Sequence, residues 1–158
     1  MLARLMDAHD PPRLRTIRRL LLGVLTIGML GAAAELYLLG HYEDPWQWSP
    51  FAMMGAGLIV ILWRAIAPGP VGLRAFRIVM LLFIISGGVG SWLHYRGNAE
   101  FEVELSPGMS GFDLFRESMS GAFPVLAPGT MSLLGLIGLV QTFGQAPQRR
   151  QTSDGASR

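Results

Sequence analysis

The sequence predicts an all-α membrane protein, a four-helix transmembrane bundle with a short interfacial helix in the outer loop between helices 3 and 4. Two observations carry this reading. Apolar residues make up 51% of the 158 and are gathered into four runs rather than spread periodically, as in a chain solvated mainly by lipid. All 13 basic residues are arginines, and they are divided unevenly among the gaps. Arg4, Arg13, Arg15, Arg18 and Arg19 precede the first run, Arg64, Arg74 and Arg77 lie between the second and third, and Arg149, Arg150 and Arg158 follow the fourth. Only Arg96 and Arg116 lie elsewhere, whereas all the acids except Asp7, Asp10 and Asp154 fall outside those gaps. Positively charged loops stay cytoplasmic. Both termini and the second connection are therefore expected inside, and the first and third connections outside.

Each element follows from local pattern. Residues 1–16 read as a basic, solvated tail in which Asp7, His9 and Asp10 are surface groups rather than metal ligands. Helix 1 is expected over about 17–39. Gly31 and Ala32 to Ala34 before Glu35 resemble a signal-peptide cleavage region, but Leu36 to Leu39 continue the apolar run, so a retained span is expected. The connection GHYEDPWQWSP supplies Tyr42, Trp46 and Trp48, which with Tyr37, Trp92 and Tyr95 form an aromatic belt at the outer interface; Trp63 marks the inner one. Helix 2 (about 51–67) stops at Pro68, Gly69 and Pro70 and returns as helix 3 (about 75–95), an antiparallel hairpin.

Helix 3 carries Ser86, Gly87, Gly88, Gly90 and Ser91, and small residues recur at Gly28, Ala32, Gly135 and Gly138. Their lack of bulk predicts close backbone packing between helices. In the third connection, Glu100 to Leu105 alternates between acidic and apolar residues and is expected to be extended. Gly111 to Met119 sets Phe112, Phe115 and Met119 on one helical face and is the expected interfacial helix. Helix 4 is expected over about 122–143, followed by a disordered cytoplasmic tail, 144–158.

Composition removes several chemistries. There is no cysteine, hence no disulfide framework, thiolate metal site or cysteine nucleophile. No phosphate-loop, zinc-protease or serine-hydrolase motif occurs, and no catalytic residue is assigned. The arginines flank membrane runs rather than alternate with stacking aromatics, so no nucleic-acid partner is expected. The expected partners are the bilayer and other membrane-protein subunits, or further copies of the chain.

Glu35 is the costliest residue, because an intramembrane carboxyl must be neutralised, paired or hydrated. It lies 16 residues beyond Arg19, about 24 Å outward along a helix, and His94 lies at a similar depth beyond Arg77, about 25 Å. Equal depth predicts a Glu35–His94 pair across helices 1 and 3. Around it, Glu35, His41, His94, Glu100 and Glu102 form the candidate set for a divalent metal or a proton. Asp44, Gln47 and Asn98 are the candidate interaction residues on the outer rim. His41 and His94 are one histidine pair with no second centre deeper in the membrane, so a b-type haem is not expected. No cofactor is predicted beyond the metal of that candidate set.

The segments ELYLLGHYEDPWQW, GSWLHYRGNAEFEVEL and GAFPVLAPGTMSLLGLIGLV resemble those of small four-span bacterial inner-membrane proteins of unknown function. The resemblance implies a bacterial source and the helix count, and no activity. The leading expectation is a non-enzymatic accessory or interaction subunit of an inner-membrane assembly. The alternative is a transport or delivery protein that handles protons or a divalent metal.

Overall fold

The computed structural model describes residues 11–145, which are helical and without strands. Five α-helices follow one another: α1 (Pro12–Leu38), α2 (Trp48–Ile66), α3 (Pro70–Leu105), α4 (Gly111–Met119) and α5 (Gly129–Gln141). A 3-10 turn, Pro45–Gln47, leads into α2. Three segments, Pro12–Leu38, Pro45–Ile66 and Pro70–Leu105, are long and apolar enough to cross a membrane, and Gly129–Gln141 is a shorter apolar helix.

The helices depart from expectation at their ends, for identifiable reasons. α1 starts at Pro12 rather than near residue 17, because proline's fixed φ and missing N–H suit the first helical position. The remainder of the expected N-terminal tail, with Asp7, His9 and Asp10, lies outside the described residues, as does the C-terminal tail beyond Gln145. At its other end α1 closes in a Schellman motif. Gly40 takes φ 68°, its N–H reaches the Tyr37 carbonyl at 3.1 Å, and the His41 N–H reaches that of Leu36 at 2.9 Å.

The largest correction concerns residues 100–105, which are not extended. α3 runs 36 residues without a break, about 54 Å. A helix already nucleated adds one bond per residue, and nothing between Gly97 and Pro107 interrupts it. Arg96 and Glu100 pair at i,i+4 (2.7 Å) on its surface. The alternation of glutamates therefore reflects a helix surface, not a strand. α3 stops at Ser106, before Pro107 and a turn in which Gly108 has φ 108°. The fourth apolar run is also corrected. Pro124 and Pro128 break it, residues 124–131 make short i→i+3 bonds, and regular helix covers only 13 residues, about 20 Å. α4 has the expected limits.

Packing follows small and apolar stripes. α1 packs on α2 and α5, and α3 packs on α2, α4 and α5. The core is built from Leu25 and Met29 of α1, Met54 of α2, Phe76, Met80 and Phe83 of α3, and Leu134 of α5. The closest approach is α3 to α5. A Cβ at Gly87 would come within 2.7 Å of the Pro128 carbonyl oxygen, and one at Gly90 within 2.7 Å of the Pro128 ring. Gly135 faces the Met80 carbonyl in the same way, and Ser132 Oγ donates across the interface to the Ile84 carbonyl at 2.9 Å. The expected small-residue contact thus holds at Gly87 and Gly90, while Gly88 faces open space. The outward faces are apolar: Leu20, Ile27, Ile59 and Leu133 are all more than half exposed. Such surface is tolerated where lipid replaces water.

Candidate functional site

The C-terminal ends of α1 and α3, the first connection and α4 carry the polar residues singled out by the sequence. The first connection is held by its own backbone and rings. The Schellman turn directs the chain past His41. Tyr37 stacks on Tyr42 with centroids 5.4 Å apart, and Trp48 Nε1 donates to the Tyr42 carbonyl at 3.1 Å. Gln47 Oε1 accepts from the backbone N–H groups of Glu43 (2.7 Å) and Asp44 (3.2 Å), which fixes the start of the 3-10 turn. Gln47 is thus occupied within its own loop, whereas Asp44 is exposed.

Asn98 has a structural use that composition does not reveal. It is 2% exposed. Its Nδ2 donates to the carbonyls of Ser118 and Phe123, both at 2.8 Å, and its Oδ1 accepts from the Phe123 N–H at 2.9 Å. One side chain on α3 thereby ties down the end of α4 and the turn entering α5. Its amide is spent inside the protein rather than presented to a partner.

The expected Glu35–His94 pair does not form. α1 and α3 pack on common neighbours, α2 and α5. Equal distance along the two helices does not bring their side chains together. Glu35 is exposed on α1, and the His94 ring turns instead to the α5 entry turn, with Nδ1 3.1 Å from the Pro124 carbonyl oxygen and its centroid 6.0 Å from the Phe123 ring. A carbonyl only accepts, so Nδ1 is the ring nitrogen that donates.

The residue that does sense His94 is His41. Its imidazole is held below the ordinary range by partial burial first and by the positive charge of His94 second. The folded loop therefore binds fewer protons than the unfolded one in the window between its lowered value and the ordinary value of about 6.5. It is expected to lose stability as pH falls through that value, with nothing lost above it. Hydrogen exchange of residues 39–48 measured from neutral to mildly acidic pH should show the loosening, and His41→Gln should remove most of the pH dependence.

Glu100 is engaged by Arg96 on the surface, Glu102 is half-buried and Glu104 exposed. Among the described residues no group of three or more His, Cys, Asp or Glu side chains is placed to hold a metal ion. The candidate set Glu35, His41, His94, Glu100 and Glu102 therefore does not converge on a common centre of three or more ligands.

The opposite end holds a polar cluster that sequence reading treated only as topology markers. Three arginines from three helices close on the C-terminal end of α5. Arg18 donates to the Phe143 carbonyl (2.8 Å). Arg64 donates to Gln141 Oε1 (3.2 Å) and Gln145 Oε1 (2.8 Å). Arg77 donates to the carbonyls of Thr142 (2.7 Å) and Gln145 (2.8 Å). Arg64 also lies 4.9 Å from the Phe76 ring centroid. The last carbonyls of a helix carry partial negative charge, so guanidinium donors both satisfy them and fix where α5 ends. The available signal was register: Arg18 stands four residues before the buried Leu22, and Gln141 three after the buried Gly138.

Comparison with protein-family models, curated proteins and solved structures gives no significant match.

Proposed function

We propose that the chain is a non-enzymatic, four-span protein of a bacterial inner membrane, with both termini cytoplasmic, that serves as an accessory or interaction subunit through its outer face. In this reading α5 crosses with help from the turns on either side of it, and α4 lies in the outer interface on Phe112 and Phe115. The observation that carries the proposal is the length of α3. At about 54 Å it outruns a hydrocarbon core of about 30 Å, and its last turns, braced by α4 through Asn98, make a firm polar platform instead of a loose loop. Glu102, Glu104, Asp113 and Glu117 make that platform acidic.

A photo-crosslinking residue at Asp113, compared with one at the outward-facing Ile85, tests the proposal in native membranes. Discrete protein adducts at Asp113, with lipid adducts dominating at Ile85, are expected. Absence of any protein adduct at Asp113 and at neighbouring platform positions would contradict the interaction role.

The second reading, handling of a proton or divalent metal, is favoured by one observation, the electrostatic coupling of His41 to His94. Zinc binding by the full chain that is lost in both His41→Gln and His94→Gln would support it.

A further inference from the structure

An open groove of about 450 Å³ runs along the outer end of α3 beside α4, with Trp92, Tyr95, Arg96, Glu100, Glu104 and Leu114 among its lining residues. We infer that it binds the headgroup of a phospholipid bearing a primary amine, a phosphoethanolamine lipid. The inference rests on the membrane orientation proposed above.

The groove has a chemical order along α3. Trp92 and Tyr95, with ring centroids 5.9 Å apart, come first, followed by the Arg96 guanidinium and then the carboxylates of Glu100 and Glu104. Trp92, Arg96, Glu100 and Glu104 are spaced by four residues, so each neighbours the next along the groove, about 6 Å further along the axis. Arg96 stands 19 residues beyond Arg77, about 28 Å, which puts it at the outer edge of the hydrocarbon if Arg77 marks the inner edge, within reach of the phosphates just beyond. From membrane to solvent the groove thus presents an aromatic, a positive and a negative zone.

A phosphoethanolamine lipid presents the complement in the same order: glycerol and acyl chains, phosphate, ammonium. Arg96 gives its Nε to Glu100 at 2.7 Å, which leaves the terminal amino groups of the guanidinium for phosphate oxygens. That ion pair is exposed, with side chains 65% and 62% accessible, so a lipid oxygen can join it without opening a buried contact. The ammonium brings three N–H donors to Glu100 and Glu104. A phosphocholine headgroup has no N–H to donate, a phosphoglycerol headgroup has no cation, and a phosphoserine headgroup would set its own carboxylate against the two glutamates. The groove therefore selects by hydrogen bonding as well as by charge.

Native mass spectrometry of the full chain, released from vesicles containing equal parts of phosphatidylethanolamine, phosphatidylcholine and phosphatidylglycerol, reads the retained lipid directly. Retention of phosphatidylethanolamine over each of the others by about fivefold is expected. Glu104→Gln should bring that ratio toward one, and Arg96→Gln should lower retention of all three lipids. Equal retention, or preference for phosphatidylglycerol or phosphatidylcholine, overturns the inference, and the wild-type ratio alone suffices for this if a variant does not fold. Labelling of Ser106→Cys from outside the membrane separates the two failures. With Ser106→Cys labelled, absent selectivity refutes the groove assignment alone; without labelling, the orientation is wrong and the groove assignment falls with it.

Discussion

Gly87→Leu is expected to be the most damaging single change in the apolar part of the chain, lowering stability by about 3 kcal/mol or more. A Cβ there meets the Pro128 carbonyl oxygen and the Ser132 nitrogen at 2.7 Å, and both are backbone, which cannot rotate away. The α3–α5 interface would have to separate, taking with it the Ser132 bond to Ile84. Gly88→Leu, one residue on, points into open space and should be tolerated. Thermal unfolding in mild detergent should place Gly87→Leu about 10 °C below the parent and Gly88→Leu close to it. Equal effects at the two positions would mean that the damage comes from helix propensity or lipid contact and not from packing.

The second large effect is expected at Asn98. Asn98→Leu deprives the Ser118 and Phe123 carbonyls and the Phe123 N–H of a buried partner, at about 1–3 kcal/mol for each group left unsatisfied. The nearly isosteric Asn98→Asp should fail as well, because an oxygen then replaces the donor that faces two carbonyls. The loss should be local. Amide exchange should accelerate over residues 106–124, while the amides of α1 and α2 keep their protection. Uniform acceleration throughout would show that the outer platform and the membrane helices unfold as one unit.

The contrast between these two residues shows what the sequence could disclose. Gly87 belongs to a run of small residues in an otherwise bulky helix, and that pattern has one physical use, so its contact was legible. Asn98 is a single polar residue beside acidic ones and reads as part of a solvated rim; only the fold brings the Ser118 and Phe123 backbone to it. The alternation of Glu100, Glu102 and Glu104 misled for a related reason. Period two suits a strand, but here the residues continue a helix whose direction was already set, and local pattern does not register that inheritance. Distance along a helix was readable for Glu35 and His94, while azimuth was not: Glu35 is exposed and the His94 ring turns to the Pro124 carbonyl. The arginines at the opposite end were read as orientation markers, yet their donation to the end of α5 depends on three helices meeting there.

The central claim is that the acidic platform and the arginine-rich end face opposite sides of a membrane. The chain has no cysteine, so single cysteines at Ser106, after α3, and at Gly69, between α2 and α3, report without background; both positions are exposed. With a membrane-impermeant maleimide on intact cells, Ser106→Cys should label and Gly69→Cys should label only after permeabilisation. The reverse pattern, or labelling of both in intact cells, would contradict the account.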